Sequence, residues 1–168
     1  MFKKKQKGQS MLEVIITISI LIGVILGLVV LSTSVFFLSQ KSVNETQAAY
    51  LVQEGFEALR KIRDSNWDDI AVLNENTDYY LLYDSETKIW SLTTTPNDID
   101  GYERKIRINN ALREDINVNG QIDAEDPINP NGVLIDTDTK KIIITVNWMD
   151  RSNASRNYSA TSYLTNWH

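Results

Sequence analysis

From Val14 to Leu38 the chain runs for 25 residues without a charge or a proline. Few environments accept such a run. A helix that is apolar on every face must sit inside a protein core or in lipid. As an α-helix this run would span roughly 37 Å, enough to cross a hydrocarbon layer of about 30 Å. Lys3, Lys4, Lys5 and Lys7 precede it, and a basic flank is expected to stay on the cytoplasmic side. The C-terminal body is then expected to be exported.

Two simple explanations of the run fall short. It is longer than the apolar core of a secretory signal peptide, and no small-x-small cleavage site closes it. An ordinary signal anchor fits the hydropathy but leaves Glu13 unexplained. A carboxylate in a spanning helix costs about 2.5–3.5 kcal/mol at mid-bilayer and less near the interface. Such a group needs a partner.

The order of features is specific: a lysine-rich head, Gly8, Gln9-Ser10-Met11-Leu12, Glu13, then the apolar run. It resembles the class III signal of type IV prepilins and pseudopilins. The resemblance covers roughly the first 30 residues. It implies that a prepilin peptidase cuts after Gly8 and that the new N-terminus, Gln9, is methylated. It also implies that Glu13 is the glutamate at the fifth mature position. Cutting ahead of the helix leaves the helix on the mature protein. The freed amine of Gln9 and the carboxylate of Glu13 would then neutralise each other inside a helical bundle, where either charge alone would cost several kcal/mol. Two positions depart from the family pattern. Gln9 stands where phenylalanine is common, and Val30 stands where many major pilins carry a helix-breaking proline. No proline-driven melting of this helix is therefore expected. Gly23 and Gly27 form a Gly-x-x-x-Gly spacing suited to close helix packing.

No proline or glycine lies between Gly27 and Gly55, so the helix is expected to continue to about Asp64. Val52, Phe56, Leu59 and Ile62, with Ala48 and Ala49 above them, recur at helical spacing and predict one buried face. Beyond the helix the pattern changes to strands. Tyr79–Tyr83 and Lys88–Leu92 flank Asp84-Ser85-Glu86-Thr87 and read as a hairpin. Tyr102, Arg104, Ile106 and Ile108 alternate with Glu103, Lys105 and Arg107, a period of two. Lys141–Trp148 is rich in β-branched residues, and Asn157–Trp167 is a further strand candidate. The four tryptophans read as core or core-edge residues.

The expected fold is α+β: one long N-terminal helix packed on a four- to five-stranded, mainly antiparallel sheet, as in the pilin fold. The expected division is a leader over 1–8, a transmembrane or filament-core helix over 9–40 and a globular head over 41–168. A polar insertion at about 109–131 interrupts the head.

That insertion contains Asp115, Asn117, Asn119, Gly120, Gln121, Ile122, Asp123 and Asp126. Side-chain oxygens fall at loop positions 1, 3, 5, 9 and 12, with glycine at 6 and an aliphatic residue at 8. This is the EF-hand arrangement. Calcium takes six to eight oxygens at about 2.3–2.6 Å, and a coiled loop turns alternate side chains inward. Gln121 would give its backbone carbonyl, Asp123 would act through a water, and Asp126 would close the shell. The version ending in aspartate is similar to dockerin-type calcium loops, although Asn119 replaces their aspartate. Calcium is the expected cofactor, with a role in ordering the insertion.

Net charge is −5, and loss of the four head lysines takes it to −9. An acidic body of this kind does not suit nucleic acid as a partner. There is no cysteine, and the sole histidine is His168. No nucleophile–histidine set or phosphate-binding glycine loop is present, so no enzymatic activity is expected. The expected function is that of a type IV pilus subunit, a minor pilin in the first instance. Its partners would be the membrane, other pilin subunits, the prepilin peptidase and the assembly machinery. It would lie in the cytoplasmic membrane and later at the cell surface. A pseudopilin of a type II secretion system is the nearest alternative. A membrane-tethered binding module or adhesin that does not polymerise is the alternative of another class.

Overall fold

A computed structural model describes residues 7–151 and 153–166, without the side chains of 7–10. The chain divides into two units, Met1–Asn44 and Glu45–His168. The class is α+β, with one long helix at the N-terminus and antiparallel strands after it.

Helix α1 covers Lys7–Ser65. Its part in the first unit presents apolar residues to solvent on all sides; from Met11 to Leu38 the large ones are between 50% and 70% exposed. Its part in the second unit behaves differently. Ala48, Leu51, Val52, Ala58, Leu59 and Ile62 are buried, and Phe56 is only partly so. The buried stripe is therefore centred on Gly55 rather than on Phe56. A Cβ at Gly55 would meet Ile144 Cδ1 at 2.8 Å. The absent side chain lets helix and strand approach, and Leu51 and Ala58 are drawn into the core beside it.

The helix ends where Asn66 intervenes. Its side-chain oxygen accepts the N–H of Asp68 at 3.2 Å, turning the chain into a single-turn helix, α2 (Asp68–Ala71). Ile70 of α2 is fully buried.

Among the described residues six strands follow: β1 (Tyr80–Asp84), β2 (Ile89–Thr93), β3 (Asp98–Ile99), β4 (Tyr102–Arg113), β5 (Leu134–Met149) and β6 (Ser155–Thr165). They form two sheets where one was expected. The β1–β2 hairpin is a sheet of its own, and the second has the order β3-β4-β5-β6. The two sheets meet through one bridge, Tyr79 with Ile106. The expected single sheet fails because β1 leaves β4 after that bridge and spends its remaining hydrogen bonds on β2.

The period of two holds in β4 and β5. Arg104, Ile106 and Ile108 are buried, as are Ile142, Ile144, Val146 and Trp148. Consecutive β-branched residues in β5 favour the extended backbone. Arg104 occupies an apolar register position with Nη1 of its guanidinium paired, while its Nε is buried without a hydrogen-bond partner among the described residues. Nη1 donates to Leu51 O at 2.9 Å and to Glu54 Oε2 at 2.7 Å, and the group lies 6.0 Å from the Trp90 ring centroid. Trp67 and Trp90 pack partly buried at the core edge; Trp167 lies outside the described residues.

Strands β4 and β5 run further than expected, which shortens the irregular insertion to 114–133. Their register jumps from Asn110↔Lys140 to Ala111↔Asp136. Residues 137–139 thus lack partners on β4. Asp136 stabilises this bulge, its Oδ1 accepting the N–H groups of Asp138 (2.9 Å) and Thr139 (3.1 Å).

Candidate functional site

Two regions carry the candidate residues. At the N-terminus, Gly8 and Gln9 lie within the first turns of α1, with their side chains outside the described set, as are Met1–Gln6 of the expected leader. Glu13 is exposed. Its expected partner, the amine of Gln9, exists only after cleavage, so the uncut chain has no such pair to form.

Four hydroxyls inside the apolar stretch are satisfied locally. Thr17 Oγ1 donates to Glu13 O and Ser19 Oγ to Ile15 O, each at 2.8 Å. Thr33 and Ser34 both donate to Val30 O at 2.9 Å. These bonds hide the hydroxyls from an apolar medium, where an unmet polar group is expensive. Among the described residues, α1 is the one helix long and apolar enough to cross a membrane. Gly23 and Gly27 have open space where a Cβ would stand.

The acidic loop is built by its own side chains. Asp115 accepts the backbone N–H of Asn119 at 3.1 Å through Oδ1 and that of Gly120 at 2.8 Å through Oδ2. These bonds coil the chain over 115–120. Val118 and Gly120 take the left-handed conformation the coil requires, with φ of 54° and 73°. Asp123 Oδ2 accepts Nδ2 of Asn117 at 3.1 Å and Nδ2 of Asn119 at 2.8 Å. The carboxylate of Asp126 is buried. It accepts the N–H of Ile116 at 3.1 Å and that of Asp123 at 2.8 Å. Five of the six expected ligand residues are thus joined by side-chain bonds. The sixth, Gln121, was expected to contribute a main-chain carbonyl; its N–H is held by Asn119 Oδ1 at 2.8 Å.

Among the described residues, no three His, Cys, Asp or Glu side chains group as a metal site. The loop instead mixes three aspartates with two asparagines. This donor set is rich in hard oxygen and suits a hard cation. Asn119 is its weak member. The single oxygen of its carboxamide already accepts the Gln121 N–H, and its nitrogen donates to Asp123.

Residues that motif spacing does not disclose anchor the loop. Arg113 Nε donates to Asp136 Oδ2 at 2.6 Å, and its Nη1 donates to the carbonyl of Asp126 at 2.7 Å. The guanidinium thereby ties the closing position of the loop to β5. Burial acts most strongly on Asp136 and pushes its carboxyl up. Arg113, Thr139 and the Asp138 N–H together outweigh this and hold it below the ordinary value. Gly132 is packed so tightly on Arg113 that a Cβ would lie 2.2 Å from the Arg113 carbonyl oxygen. Arg113, Asp136 and Gly132 are ordinary residue types, and their roles depend on a register the sequence does not display.

The chain matches no protein-family model, no curated protein and no solved structure.

Proposed function

We propose that the chain is a non-catalytic subunit of a type IV pilus-like filament, made as a precursor, cut after Gly8 and polymerised through α1. The observation that carries this reading is the change of character along one helix. Up to Leu38, α1 is apolar and exposed on every side; from Ala48 it buries a stripe in a folded head. Lipid first, and neighbouring helices in a filament later, would cover the exposed part. Glu13 at its start gives those neighbours a register, because its charge needs the Gln9 amine of an adjacent subunit. In this reading the helix begins in the cytoplasmic membrane with the N-terminus on the cytoplasmic side, and the head is exported.

The acidic loop is a calcium site in the same proposal. Asp115, Asn117, Asn119, Asp123 and Asp126, with the Gln121 carbonyl, would hold the ion. The ion would supply the charge that keeps three carboxylates together. Weak affinity suffices where calcium is millimolar.

Mass spectrometry of the mature chain tests the central claim. The expected N-terminus is an N-methylated Gln9. An intact Met1, or a terminus beyond Leu38, overturns it.

A further inference from the structure

Lys140 is only 6% exposed, yet no carboxylate among the described residues pairs with it. Its Nζ donates to Oδ1 of Asn110 at 2.5 Å. A buried ammonium facing a neutral amide is an expensive arrangement, since burial of a charge ordinarily demands a counter-charge. Lys140 and Asn110 are register partners on β5 and β4, at the last pair before the bulge. On the other side of Asn110, Glu75 Oε1 accepts the Asn110 backbone N–H at 3.1 Å. One amine and one carboxamide thus stand together, thirty residues apart in the chain, while the Glu75 carboxylate holds the main chain of Asn110.

We propose that this pair is an intramolecular cross-linking site, forming an isopeptide bond between Lys140 and Asn110. The Lys140 Nζ, once deprotonated, attacks Cγ of Asn110. The Nζ–Cγ bond forms and the Cγ–Nδ2 bond breaks. Nδ2 departs as ammonia with a proton surrendered by Nζ. Written from the protonated lysine, the products are a secondary amide and ammonium. No oxidant, cofactor or water is consumed. Holding amine and amide in contact supplies the proximity that makes such a step unimolecular. The product removes the buried charge and staples β4 to β5 covalently, in a chain that has no cysteine for a disulfide.

Intact-mass and peptide analysis of the purified full-length chain tests this. The expected result is a chain lighter by one ammonia. Trypsin should give a branched peptide in which Ile108–Arg113 is joined to Glu114–Lys141. Two other reactions lose the same mass: cyclisation of an N-terminal Gln9 and succinimide formation at Asn119-Gly120. Lys140→Arg separates them, because it abolishes the branched peptide and leaves those losses untouched. Recovery of Ile108–Arg113 as a free peptide in full yield from the wild-type chain overturns the proposal. So does a branched peptide that survives Lys140→Arg.

Discussion

The two parts of α1 belong to one unbroken helix and obey opposite rules. Before Asn44, apolar residues occupy every face and are exposed; after it, most lie on one face and are buried, with Tyr50 left exposed. The large apolar side chains of the first part, from Met11 to Leu38, are all at least half exposed, so no core fixes their shape. The second part is fitted to β4 and β5, so each position is constrained by volume. Hydrophobicity alone describes the first part, whereas packing describes the second.

The largest test of this difference is a pair of truncations in the full chain held in detergent. Leu59→Ala should lower stability by about 3 kcal/mol, as a filled core site becomes a cavity. Leu26→Ala should leave the thermal midpoint of the head unchanged. Equal shifts would break the comparison.

Calcium comes next. If the loop binds the ion, a concentration of one hundred times Kd should stabilise the head by roughly 2.7 kcal/mol, read as a raised thermal midpoint. Asp115→Ala should abolish the rise. Asn119→Asp should enlarge it, because a carboxylate can hold the Gln121 N–H with one oxygen and offer the other to the ion. A wild-type midpoint indifferent to calcium would remove the site from the proposal.

A matched pair of glycine changes probes packing more finely. Gly55→Ala should cost about 1–2 kcal/mol, since its Cβ would press on Ile144 at 2.8 Å. Gly23→Ala should be neutral or slightly stabilising, because that position is open and alanine is the better helix former.

The smallest effect concerns acid. The Asp136 carboxyl is held below its ordinary value of 3.8. Its contribution to stability is therefore complete above that value and is lost as pH falls through the lowered one. Replacing Arg113 with Met should flatten the acid limb of a stability–pH curve. An unchanged limb would mean that Arg113 does not hold Asp136.

The sequence alone announced the membrane-length helix, its amphipathic continuation, the β1–β2 hairpin and the alternation in β4 and β5. These are local signals, carried by composition and by periods of 3.6 and two, and they survive any tertiary arrangement that respects them. The twelve-residue oxygen spacing of the loop was equally legible, because its hydrogen bonds join residues a few positions apart. Tertiary structure alone decided the rest. It split the strands into two sheets, centred the helix stripe on Gly55 and buried Arg104 beside Glu54, fifty residues away. It also brought Arg113 to Asp136 across a register jump and enclosed Lys140 against Asn110. These outcomes depend on which distant residues share a small volume, and no periodic pattern encodes that choice.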